Sequence, residues 1–214
     1  MFDFQTLISR IEDALDENNR EQSQAHKIDH SFRVICNIHE IVSQFDDATT
    51  IDNEALIIAA LLHDIDEPYN RKKDHVELSI IKATNILHEL GCCEFLIEKV
   101  TKIMSEHSSE NIGSFSMIES KVLFDADKID GLGATGIARV FLLSGANLLS
   151  MQEAIAWCRK KIEIAIASLQ TEQGKNMVLP RLKYVESFLA EIENENEPIK
   201  SDDKIYNLVN KIIK

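Results

Sequence analysis

Residues 61–69, LLHDIDEPY, end an apolar run with His63 and Asp64, and two more acids, Asp66 and Glu67, follow before a proline. An imidazole nitrogen beside a carboxylate oxygen suits a divalent ion such as Mn²⁺, Fe²⁺, Zn²⁺ or Mg²⁺. A single His-Asp pair is unremarkable in a chain with 7 histidines and 36 acids, and a solvated helix end is its plainer reading. Position argues otherwise. The pair closes the most apolar helix of the chain, so its side chains should stand at the mouth of the core. Two ligands do not make a site, and further ones come from DHSFRV at 29–34 and FDADKID at 124–130. His30 and Arg33 are three apart and share a helical face, as do Asp127 and Asp130. His30, His63, Asp64 and Asp127 could supply four ligands to one ion and leave positions open for water. Glu67 follows His63 by about one helical turn, close enough to orient or deprotonate that water. Asp66 competes with it for the role.

Arg33, Lys72, Lys73, Lys128 and Arg139 lie near these clusters in sequence and could pair with phosphate oxygens. Ordinary surface charge is the alternative for at least one of Lys72 and Lys73. Asp130 is a candidate for a sugar hydroxyl or a phosphate-bound water. GLGATG, residues 131–136, fits G-x-G-x-x-G, but that fingerprint counts only after a strand in a βαβ unit, and helical flanks exclude it here. Its glycines are expected to let the chain turn and pack closely after the metal-bearing segment.

The order His30, His63-Asp64, Asp127 resembles the HD-domain superfamily of metal-dependent phosphohydrolases. DHSFRV, ALLHDID, HVELSIIKA, ILHELG, SEHSSE and FDADKIDGLGATGIARVF match its small single-domain branch in order and wording, over roughly residues 25–190. The resemblance implies that His30, His63, Asp64 and Asp127 are the metal ligands. It also implies that His75 and His107, in intervening helices, hold a second ion or meet substrate phosphate, and phosphate contact is preferred here. Asp66 stands where many members carry glycine, and Lys27 where they carry aspartate. His26, His39 and His88 receive no role.

Helices must bring these residues together. Phe4, Leu7, Ile8, Ile11 and Leu15 recur at helical steps within residues 2–17, and Val34, Ile38, Ile41, Val42 and Phe45 do so within 29–45. Asp52 is the expected N-cap of a deeply buried core helix centred on ALIIAALL. HVELSIIKATNILHELG should be amphipathic and close at Gly91. CEFLIEKVTKIMSEHS, MIESKVLFDADKIDGLG, GIARVFLLSG, MQEAIAWCRKKIEIAIASL and VLPRLKYVESFLAEIEN continue the pattern. Ser201 could cap a last helix through Ile205, Leu208, Val209 and Ile212. The acidic EIENENEP near 191–198 is the one candidate hinge, and no strand pair or repeat stands out. The reading is all-α: one HD-type helical domain over 1–214, core about 25–190, with a C-terminal helical extension about 199–214.

A net charge of −13 leaves no broad basic face, which disfavours long nucleic acid as a partner, while small anions need only local cations. Cys36, Cys92, Cys93 and Cys158 form no disulfide framework and read as free thiols in a reducing compartment. No apolar run approaches the roughly 20 residues that span a bilayer. The expectation is a cytoplasmic enzyme that uses a divalent metal (Mn, Fe, Mg or Zn) to hydrolyse a small phosphorylated molecule, such as a nucleotide, as a phosphatase or pyrophosphohydrolase. No membrane partner is expected, and a homodimer is left open. The rivals are a cyclic-nucleotide phosphodiesterase, a non-catalytic HD module sensing nucleotide or metal, and a purely helical interaction protein.

Overall fold

Apolar side chains at three- and four-residue steps can be buried together only on helices, and helices are what the chain forms. The structure, a computed structural model, describes residues 2–17, 28–47, 50–66, 75–108, 112–196 and 209–212. In chain order the helices are α1 (Phe4–Glu17), α2 (Ile28–Val42), α3 (Asn53–Leu62), α4 (His75–Glu89), α5 (Glu94–Glu106), α6 (Ile118–Asp130), α7 (Gly133–Ala146), α8 (Met151–Ser168) and α9 (Glu172–Asn196). No strand occurs among the described residues, so the fold is all-α.

The core is built around α3. Asp52 caps it by accepting from the Ala55 N–H at 3.0 Å, as expected, and Lys99 holds the other carboxylate oxygen at 2.9 Å. Seven of its ten residues are buried, Ala55, Leu56, Ile58, Ala59, Ala60, Leu61 and Leu62. Each large aliphatic buried this way contributes about 1.5–3 kcal/mol. α2, α5 and α6 pack around it, and α2 also lies along α6. Leu7 and Ile11 of α1 are buried in the same cluster, so the core begins well before residue 25. α7, α8 and α9 enclose a second, smaller cluster of Ile137, Val140, Ile155, Cys158, Val185 and Leu189.

Helix ends set the directions of the chain. α4 closes as expected at Gly91, whose φ is +70°: Gly91 N–H donates to the His88 carbonyl and Cys92 N–H to that of Leu87. Between α6 and α7, Gly133 has φ +79°, and a Cβ on Gly136 would lie 2.1 Å from the Gly131 carbonyl oxygen. Close packing is therefore what GLGATG provides.

α9 differs from expectation. It starts at Glu172, ahead of VLPRLKY, because Thr171 caps it: its Oγ1 accepts from the Gly174 N–H at 3.0 Å. Thr171 is fixed in turn by Asp125, which accepts from its N–H and its hydroxyl at 2.7 and 2.6 Å. The helix accommodates Pro180 internally and continues to Asn196, so most of the tract expected as a hinge is helical. Residues 209–212 are helical, whereas Ser201 and His26 lie outside the described residues. No single described helix is long and apolar enough to cross a membrane. The four cysteines are free.

Candidate metal centre

Four helices deliver the site. His30 lies in the first turn of α2, His63 is the C-cap of α3 with Asp64 next to it, His107 is the C-cap of α5, and Asp127 and Asp130 lie on the last turn of α6. Termination of α3 at Leu62 turns the His-Asp pair out of the apolar core and towards α2 and α6.

One ring nitrogen of each of three histidines is spoken for. His63 Nδ1–H donates to the Ala60 carbonyl at 2.8 Å, His107 Nδ1–H to that of Met104, and His30 Nδ1–H to Asp130 at 2.7 Å. A carbonyl or ionised carboxylate cannot donate, so each Nδ1 carries the proton and each Nε2 is turned inwards. His30 Nε2 lies 3.3 Å from His63 Nε2, 3.7 Å from Asp64 and 3.4 Å from Asp127 Oδ1. His63 Nε2 is 3.5 Å from Asp64, and His107 Nε2 is 3.6 Å from its other oxygen. Ligand atoms of His30, His63 and Asp64 all lie within 4.8 Å of one another and could hold a metal ion. Asp127 stands alongside, its Oδ2 held by Lys128 at 2.9 Å.

The electrostatics of this pocket call for a cation. Burial pulls His30 down, but the hydrogen bonds it donates to Asp127, Asp130 and Asp64 outweigh it and push its pKa up to about 11. Burial, with the neighbouring His30 and His107 charges, holds His63 below its ordinary value despite Asp64, so it stays neutral as a ligand must. Asp127 is held well below the carboxylate range: Lys128 and His30 overcome its burial. Two inward-facing Nε2 atoms at 3.3 Å, ringed by carboxylates, fit a divalent ion with nitrogen and oxygen ligands.

Asp130, anticipated at the substrate, instead stands behind His30. It is buried, accepts from Arg33 at 2.7 and 3.2 Å and from Arg139 at 2.5 Å, and is drawn down to about 2 as these partners and His30 offset its burial. Arg33 and Arg139, anticipated at phosphate, thus converge on this carboxylate. Lys128 spans Asp127 and the Phe124 ring, 4.9 Å from its centroid. His107 is buried against Asp64 and the His63 ring, at the ligand cluster itself. Asp66 donates its N–H to Ser79 Oγ at 3.1 Å. Glu67, Lys72 and Lys73 lie outside the described residues, as does the side chain of His75, which begins α4.

Three residues escaped the sequence reading. Asn37 donates to the Ala126 carbonyl, and Arg181 of α9 bonds both Asn37 and the Ile129 carbonyl, bracing the turn of α6 that carries Asp127 and Asp130. Glu106 accepts from the N–H and hydroxyl of Ser116 and pairs with Lys102, tying α5 to the segment before α6. Asn37 one turn beyond Arg33 on α2 was the available signal; Arg181 and Glu106 carried none.

Comparison with known proteins agrees with this geometry. Residues 28–132, which include His30, His63, Asp64, Asp127 and Asp130, match the family model of the HD domain. This segment, just under half of the chain, is an HD domain, and the chain resembles the HD superfamily. A predicted HD superfamily hydrolase from an uncultured Thermotogales bacterium is 27% identical and superposes with a TM-score of 0.63, covering 90% of this chain and 92% of that one. The Lin1889 protein of Listeria innocua is 26% identical with a TM-score of 0.63, covering 89% and 97%. Bacillus subtilis YpgQ, an uncharacterized protein, is 24% identical over 174 residues, 78% of this chain and 84% of its own length. Its structure in complex with ADP has the same fold, with a TM-score of 0.69 over 92% and 96% of the two chains.

Proposed function

We propose that the protein is a metal-dependent phosphohydrolase acting on a small phosphorylated molecule, with a nucleotide as the preferred class and phosphatase or pyrophosphohydrolase chemistry at a phosphorus centre. The observation that carries this is the convergence of His30, His63 and Asp64 ligand atoms within 4.8 Å, with Asp127 beside them. A divalent ion there would supply Lewis acidity, lowering the pKa of a bound water towards neutrality and offsetting phosphate charge. In this reading His30, His63, Asp64 and Asp127 hold the ion. Asp130 fixes the tautomer and direction of His30, and the Ala60 carbonyl does the same for His63. Glu67 or Asp66 takes the proton of the attacking water. Lys128, Arg33 and Arg139 supply positive charge for phosphate oxygens in a chain whose net charge is −13, and His107 meets phosphate or steadies Asp64. Lys72 and His75 are further phosphate candidates on the segment leading into α4.

ADP in the YpgQ structure supports a nucleotide, and four free cysteines suit the reducing cytoplasm. Phosphate release should be measured over nucleoside mono-, di- and triphosphates and cyclic nucleotides, with Mn²⁺ or with chelator. Metal-dependent release from a linear nucleotide, abolished in His63→Ala, is expected. Cleavage of cyclic substrates alone would make the protein a phosphodiesterase. Metal binding without turnover on any substrate would make it a sensor.

A further inference from the structure

We propose that Lys161 of α8, together with Arg139 of α7, forms an anion subsite beside the metal centre that takes a second phosphate, so that the substrate carries a phosphate chain rather than a single phosphate. The phosphohydrolase reading says what the subsite serves, and the inference deepens it.

The lysine stem lies across Gly131, the residue after Asp130: a Cβ placed there would meet Lys161 Cε at 3.6 Å and Nζ at 3.8 Å. This puts the ammonium at the C-terminal end of α6, where Asp127, Lys128 and Arg139 act on it through their charges. No hydrogen bond or ion pair to Lys161 occurs among the described residues. Arg139 is the second incomplete donor. Its Nη1 serves Asp130, but its Nε is buried with no acceptor. Buried donors, above all charged ones, are costly unless matched.

The nearby carboxylates do not fill the gap. Asp127 faces His30 and Lys128, and Asp130 faces His30, Arg33 and Arg139. Burial, and then the repulsion from Arg139, hold the Lys161 ammonium below its ordinary pKa, the state an anion would relieve. Once a divalent ion sits among the histidines, four cations, Arg33, Lys128, Arg139 and Lys161, face the three carboxylates Asp64, Asp127 and Asp130. In this assignment the second phosphate of a chain, and not a single phosphate at the ion, supplies the counter-charge that Lys161 lacks.

Binding of inorganic tripolyphosphate, orthophosphate and ATP to the Mn²⁺-loaded full chain, followed by calorimetry, tests this. Lys161→Met keeps the stem and removes the charge, and Lys161→Arg restores the charge. The expected result is tripolyphosphate affinity about tenfold weaker in Lys161→Met, within about threefold of native in Lys161→Arg, with orthophosphate affinity and metal content unchanged. Loss with ATP but not with tripolyphosphate would overturn the phosphate-chain assignment; equal loss with both supports it. Equal affinities in native protein and Lys161→Met, with only a lower Tm in the variant, would show a lysine that merely caps α6 and would overturn the inference, as would a native protein that binds neither chain. Binding needs no turnover, so a protein that holds tripolyphosphate through Lys161 yet hydrolyses nothing overturns the enzymatic reading and leaves the subsite standing.

Discussion

At the scale of single residues, the histidine at position 30 is the most informative. Its proton, held with a pKa pushed up to about 11 against burial by Asp127, Asp130 and Asp64, occupies the place that a divalent ion requires. Metal must displace it, so binding at pH 7 is expected to release about one proton per ion and to strengthen as pH rises. Calorimetry in two buffers of different ionisation enthalpy measures this, and zero release would contradict the assignment. Asp130 acts through His30. Asp130→Asn should lower metal affinity about 10–100-fold while leaving the far-ultraviolet circular dichroism intact, and an unchanged affinity would reduce Asp130 to a partner of the two arginines.

At the scale of elements, two helix junctions make opposite predictions. α7 ends in paired bonds from Leu148 N–H to the Gly145 carbonyl and from Leu149 N–H to that of Ser144, which place a leucine at φ +57°, where glycine is favoured. Leu148 is 92% exposed, so removing its side chain gives up little contact. Leu148→Gly is therefore expected to stabilise the protein by about 0.5–1 kcal/mol, read as a higher midpoint in denaturant. Gly136→Ala should do the reverse. Its new Cβ would meet the Gly131 carbonyl oxygen, part of the backbone and unable to rotate away, at a cost of about 1–3 kcal/mol. The displaced Gly131 adjoins Asp130, so metal affinity should fall with stability; a fall in stability alone would show the α6–α7 joint to be independent of the site.

At the scale of the whole molecule, charge sets the response to pH. Asp130 and Glu106 are both drawn down to about 2, Asp130 against its burial by His30 and Arg33, Glu106 against its burial by Ser116 and Lys102. Depressed acids stabilise the fold above their ordinary values near 4, and that contribution disappears as pH falls towards 2. His30, raised from 6.5, stabilises fully below 6.5 and loses its contribution as pH climbs to about 11. The His30 and Asp130 shifts describe one attraction seen from its two ends. Metal-free protein should thus lose Tm as pH rises above 6.5 through His30 and again below about pH 4.5 through the acids, with buried neutral His63 already lowering it as pH falls below 6.5, and saturating metal should flatten the alkaline side by replacing the His30 proton.

Much of this was legible in the chain. Apolar periodicity located the helices because each buries one face, and the all-apolar α3 announced the centre of the core. The order His30, His63-Asp64, Asp127 pointed to side chains that the fold does bring together, and His30, His63 and Asp64 could hold an ion. The start of α9 was hidden because its cap depends on Asp125, 46 residues away from Thr171, and the place of Asp130 was hidden because spacing along α6 does not reveal that His30 Nδ1 lies behind it. Contacts distant in sequence, such as those of Arg181 and Lys161, leave no local pattern.

The most direct measurement is the metal content of protein purified without chelator, native against His63→Ala, with circular dichroism to show that the variant is folded. The account predicts about one divalent ion per native chain and near none in the folded variant. Equal content in both, or no bound ion in the native protein even after Mn²⁺ is added, would contradict it.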